Sequence, residues 1–330
     1  MNHDSVILAM AFVAFVIGIY FLIRDRLNFK LLTINFEIMR FKIQNPAFLQ
    51  AGGRAGKIAN YFYIRSLADG NEITFANTKL GAFADNLEYS LDGNSWWQLS
   101  ADEVITLDSG ATISFRNPNK TVYSLAMGTN IVKTSDEYEV GGDIIKLFYP
   151  SVELPALAFK EAFENDEFLI SAANLELPAT ALAESCYNSM FSGCTGLTAA
   201  PELPATALAE SCYRSMFSGC TGLTAAPELP ATALAEYCYS YMFSGCTGLT
   251  EAPELPATAL AEYCYSYMFS GCTGLTAVTC LASSGIENAT DNWLDNVAAS
   301  GTFTKAANME DWPDGASGIP TGWTVEDYVG

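Results

Sequence analysis

Catalysis needs a nucleophile beside a base, a paired acid and base, or a metal cage, and this sequence holds few of those parts. Its one histidine, His3, precedes an apolar run, so the body of the chain has no imidazole to serve as general base. The cysteines fall into columns: Cys186, Cys212, Cys238 and Cys264 in one, Cys194, Cys220, Cys246 and Cys272 in a second, and Cys280 left over. No close C-x-x-C pair accompanies them, which argues against zinc. Two readings of the thiols stand, stacked buried groups behaving as small hydrophobes or disulfides between the columns. The carboxylates of Glu184, Glu210, Glu236 and Glu262, and of Glu202, Glu228 and Glu254, recur in register and read as solvated edges, without the Asp-rich loop that calcium prefers. Gln50 to Lys57 has the glycines of a phosphate-binding loop, but their spacing is one short and Ile58 stands where a Ser or Thr should hold magnesium. The expectation is no catalytic residue, no metal and no cofactor, hence no enzyme.

Binding has better candidates, in the differences between copies of an internal repeat. LPATALAESCYNSMFSGCTGLTAAPE begins at Leu177, and near-copies begin at Leu203, Leu229 and Leu255, a period of 26 residues. The copies differ at Ser185, Ser211, Tyr237 and Tyr263, at Asn188, Arg214, Ser240 and Ser266, and at Ser189, Ser215, Tyr241 and Tyr267. Drift at unpacked positions would produce such variation. Alternatively Tyr237, Tyr241, Tyr263 and Tyr267, with Arg214 beside them, form an aromatic ligand-binding patch, tyrosine being a low-entropy contact residue.

A fixed period of this length implies stacked units that share a core. Apolar spacing from Thr180 to Ser192 predicts a helix that turns Ala183, Cys186, Tyr187, Met190 and Phe191 inward and Glu184, Ser185, Asn188 and Ser189 outward, with Thr180 as N-cap and Gly193 as stop. The remainder predicts an extended segment pairing with its copies, kept short by Pro201, Pro227 and Pro253.

The order Met-Phe-Ser-Gly-Cys-Thr-Gly-Leu, then Leu-Pro, then Cys-Tyr, resembles the BspA-type (Treponema-type) leucine-rich repeat, over roughly Phe159 to the C-terminus. That resemblance implies a helix-and-strand scaffold of the kind found on bacterial surfaces and in gut Bacteroidetes and their phages. The longer repeat, and Ala200-Pro201 in place of a branched apolar residue, depart from its pattern.

Acidic residues outnumber basic ones by 37 to 16, for a net charge of −21, which argues against nucleic acid as a partner. Val6 to Ile23 is an apolar run of 18 residues, long enough for a transmembrane helix. Arg24, Arg26 and Lys30 after it favour a cytoplasmic body by the positive-inside rule, whereas the resemblance favours the surface; initiation at Met39 would remove the run altogether. From 58 to 148, short apolar runs with Asp69-Gly70, Asp92-Gly93 and Ser109-Gly110 at their corners predict a β-sandwich. Its strands are expected at 61–67, 72–75, 87–91, 96–99, 104–107, 112–115, 122–127 and 144–148. Within it, Tyr89 to Trp96 resembles an Asp-box hairpin one residue short.

The expected fold is therefore α+β and multi-domain: a membrane anchor (1–26), a stalk and linker (27–57), a β-sandwich (58–148), a leucine-rich-repeat solenoid whose first unit is degenerate (149–276), and a C-terminal cap (277–330). The expected function is surface-displayed binding or adhesion in the cell envelope, to a protein or glycan on another cell or particle. The alternative is a phage or prophage structural protein of the virion that contacts the host.

Overall fold

The computed structural model describes residues 61–75, 87–100, 103–118, 131–145, 153–309 and 312–329. Among them all twelve regular elements are strands: β1 (Phe62–Ser66), β2 (Asn71–Phe75), β3 (Glu88–Ser90), β4 (Trp97–Gln98), β5 (Ile105–Leu107), β6 (Thr112–Arg116), β7 (Val132–Thr134), β8 (Tyr138–Asp143), β9 (Leu169–Glu176), β10 (Ala277–Cys280), β11 (Thr302–Lys305) and β12 (Thr324–Asp327). Alternation decides the inward faces, as in β1, where Phe62, Ile64 and Ser66 are buried and Arg65 is exposed. One sheet runs β4-β3-β6-β1-β8-β9 and a second β5-β2-β7. Their buried residues, Phe62, Ile64, Ile73, Ile105, Leu107 and Phe115 among them, belong to one apolar cluster. β8 and β9 pair in parallel, and Ser171 of β9 bridges Ala199, which joins this sheet to the repeats.

The repeats are neither helical nor stranded. Tyr187 N donates to Cys212 O, Ser189 N to Arg214 O and Phe191 N to Met216 O, each in the next copy. The amides between them close turns within the copy: Cys186 N to Ala183 O, Asn188 N to Ser185 O, Met190 N to Tyr187 O. The backbone amides of this segment thus find carbonyl partners, the requirement that an α-helix would otherwise meet internally. Every fourth residue takes a left-handed backbone, Ser185 (φ 52°), Ser189 (φ 55°) and Gly193 (φ 75°) in the first copy. Residues 157–165 add a rung before the four copies and 288–296 add one after, carrying Leu157, Glu161 and Asn165 or Asn288, Asn292 and Asn296 at the left-handed positions.

Several expectations are corrected. A four-residue cycle buries two neighbours and exposes the next two, so over one short segment it mimics helical spacing, and the helix from Thr180 to Ser192 is not formed. The extended side of each copy makes isolated bridges such as Ala181 to Ala207 and Ala207 to Ala233, where two prolines per copy deny the ladder its donors. None of the three sheets takes a strand from each copy, so the α+β class and the leucine-rich-repeat solenoid of helix and strand are both overturned. The transmembrane helix expected over Val6 to Ile23 lies outside the described residues, as does the stalk. Among the described residues no helix is long and apolar enough to cross a membrane, and the single-pass anchor, with the envelope localisation drawn from it, is withdrawn. The strand expected at 122–127 also lies outside the described residues; of the one expected at 144–148 only Ile144 and Ile145 are described, and they follow β8 without continuing it.

Identical side chains stack along the copies. Phe163, Phe191, Phe217, Phe243 and Phe269 lie at centroid separations of 5.4, 5.6, 5.7 and 5.6 Å. A second buried column runs from Phe159 through Tyr187, Tyr213, Tyr239 and Tyr265 to Trp293, which closes it. Burying each ring is worth about 1.5–3 kcal/mol, so these columns carry the stack. All nine cysteines are free and buried, which removes the disulfide reading. Cys194, Cys220, Cys246 and Cys272 donate to the carbonyls of Phe163, Phe191, Phe217 and Phe243.

A Cβ on Gly248 would sit 2.8 Å from Thr221 O and 2.9 Å from Leu223 O, both backbone; Gly248→Ala should therefore cost about 1–3 kcal/mol, read as a lowered urea midpoint. Burial pushes the thiols of Cys194, Cys212, Cys264, Cys272 and Cys280 up to about 12 from the usual 9.0. Above pH 9 the unfolded chain releases protons that the folded chain keeps, so stability should be intact below pH 9 and fall towards pH 12. Denaturation midpoints across that range check it, and native alkylation should be slow while all nine thiols react after unreduced denaturation.

Candidate ligand-binding face

Tyr237, Tyr241, Tyr263 and Tyr267 all occupy left-handed positions, with φ of 53°, 57°, 54° and 56°. That conformation costs an L-residue about 1–2 kcal/mol and is easiest for Gly or Asn, the residues used at Gly193 and at Asn288 and Asn292. The backbone there turns the side chain out of the stack, so each tyrosine is half-buried while Tyr239 and Tyr265, two residues away from them, are buried. The four rings form two columns, Tyr237 on Tyr263 at 4.9 Å and Tyr241 on Tyr267 at 4.6 Å. Under them Ser240 and Ser266 are buried, and Ser240 Oγ donates to Ser266 O at 3.2 Å. The Tyr241 hydroxyl is held above its ordinary pKa, first by partial burial and then by Tyr267, with Arg214 acting against both.

Arg214, exposed on the copy before, places its guanidinium carbon 5.6 Å from the Tyr237 ring centre and 5.9 Å from that of Tyr241. All five residues singled out from the sequence are therefore brought together on one face. At the opposite end the columns differ. Asn292 Nδ2 donates to Tyr267 Oη at 3.1 Å and closes that column. Beyond Tyr263 lies an open pocket of about 610 Å³, whose walls include Glu287, Asn288, Asp291, Pro313 and Ser317. Its two sides are tied by Thr290 Oγ1 donating to Ser317 O at 2.7 Å and Asn292 N to Ser317 Oγ at 2.9 Å. The sequence reading missed this pocket because the repeat motif ends at Thr276; the signal that would have found it is the four-residue spacing of Asn288, Asn292 and Asn296, which continues the left-handed cycle without the motif.

The Asp-box-like turn is structural. Asp92 Oδ1 accepts from Asn94 N at 2.8 Å and Ser95 N at 2.7 Å, and Oδ2 accepts from Ser95 Oγ at 2.9 Å. These bonds hold its carboxyl down at about 2. Trp96 after it packs edge-on to Tyr61 and under Arg116. Among the described residues no group of three or more metal-ligating side chains comes together.

A double-mutant cycle on Tyr241→Ser and Tyr267→Ser should return a coupling of about 0.5–1.5 kcal/mol from the stacked pair. Zero coupling in chemical denaturation would mean that the rings do not stack.

No protein family, curated protein or solved structure matches this chain.

Proposed function

We propose that the protein is a non-enzymatic binding protein that recognises a protein or glycan through the tyrosine face of its repeats. The observation that carries this reading is the presence of four tyrosines at positions whose backbone favours Gly or Asn and where earlier copies use Ser. Stacking returns only about 0.5–1.5 kcal/mol per pair, a small gain beside that of the buried columns, and stability alone is a weak reason to put four large rings there. A rigid, amphipathic tyrosine surface with one flanking arginine is the composition that recognition sites favour. Phosphate-rich partners are disfavoured by the net charge of −21.

The test is a screen of the full chain on a printed glycan array and a displayed peptide library, repeated with Tyr237, Tyr241, Tyr263 and Tyr267 all changed to Ser. The expected result is reproducible hits that the quadruple variant loses while remaining folded, since Ser is native at the same positions in the first two copies. Hits retained by that variant, or none with the wild type, overturn the proposal.

A further inference from the structure

The Tyr237–Tyr263 column has two ends, and one already shows what the ring faces attract. At the Arg214 end a guanidinium lies over the ring of Tyr237. At the other end, one face of Tyr263 is taken by Tyr237, and the pocket lies on the opposite side, because its walls come from the following rung, whose Asn288 O accepts from Tyr263 N. Glu287 and Asp291 stand exposed on those walls.

Charge identifies what is missing. Residues 177–330 contain two basic residues, Arg214 and Lys305. The first lies over the tyrosines, and the second pairs with Asp327. Among the described residues no cation lies within ion-pair distance of Glu287 or Asp291, and Asp291 Oδ1 accepts only the neutral amide of Asn292, at 3.0 Å. An aromatic face with two uncompensated carboxylates beside it suits a planar cation, which can stack on the ring and donate in the plane to carboxylate oxygens. An ammonium satisfies the charge without the plane.

We infer that this pocket receives a guanidinium, the side chain of an arginine on a partner protein. The inference rests on the tyrosine-face reading and narrows it to a basic protein segment. The flanking bonds from Thr290 and Asn292 to Ser317 hold the pocket open in advance, so little ordering is lost on binding.

The probe is Nα-acetyl-arginine amide, titrated into the full chain and followed by saturation-transfer NMR, with Nα-acetyl-lysine amide and cellobiose as comparisons. The arginine probe should bind in the millimolar range and the lysine probe several-fold more weakly, and added salt should weaken both. Glu287→Gln with Asp291→Asn, exposed and nearly isosteric, should reduce arginine binding roughly tenfold with thermal unfolding unchanged. Absence of transfer to the wild type, equal binding by the double variant, or a preference for cellobiose overturns the inference. Array or library hits lost by the quadruple tyrosine variant but kept by Glu287→Gln/Asp291→Asn would sink the guanidinium site alone and leave the tyrosine face standing.

Discussion

The structure depends on how the repeat distributes its backbone hydrogen bonds. Alternate amides point along the stack to the next copy, and those between them close turns inside their own copy, from Ser185 to Cys194 and at each equivalent segment. No copy can satisfy its own donors, so a single unit has no reason to fold alone. The left-handed residue every fourth position keeps this alternation in phase. It returns the chain to the same orientation after each pair of turns, so that two side chains face in and the next two face out.

This spacing along the stack also sets how rings meet. Neighbouring copies at backbone hydrogen-bond distance rise about 4.8 Å. Buried rings at centroid separations of 5.4 to 6.2 Å have slid sideways into the offset arrangement that the ring quadrupole favours. The outer pairs, at 4.9 and 4.6 Å, sit almost directly above one another.

Much of the strand-rich region was legible: six of the eight expected strands coincide with β1 to β6, because alternating apolar residues between Asp-Gly and Ser-Gly corners have few other solutions. β8 escaped because Gly141 and Gly142 interrupt its apolar pattern, although a Cβ on Gly142 would strike Tyr61 O. In the repeats, the inward and outward residues around Cys186, Tyr187, Met190 and Phe191 were legible while the conformation was not. Periods of 3.6 and 4 differ by less than half a residue per turn, and a segment of ten residues is too short to separate them. The distinguishing mark was the recurrence of Ser, Ser and Gly at 185, 189 and 193, since Gly tolerates a positive φ that a helix interior never uses. That the four tyrosines and Arg214 lie together was legible from variation between copies, but the pocket needed the final rung, where Asn replaces Ser and the motif has vanished.

A stack of identical copies repeats whatever it displays, and this has a consequence for recognition. The carboxylates of Glu184, Glu210, Glu236 and Glu262 recur once per copy, exposed and separated enough for solvent to screen them. A surface of that kind offers a partner the same contacts at every rise of about 4.8 Å, so it attracts without fixing a register. Register must come from positions where repetition fails. There are three along this face: Arg214 in the second copy, the tyrosines confined to the third and fourth, and the Asn-bearing rung with Glu287 and Asp291 after them. They follow one another, so a cation, an aromatic platform and an acidic pocket succeed each other in that order along the stack. On the binding reading proposed above, a partner that places its own charges to match this order would dock in one position only.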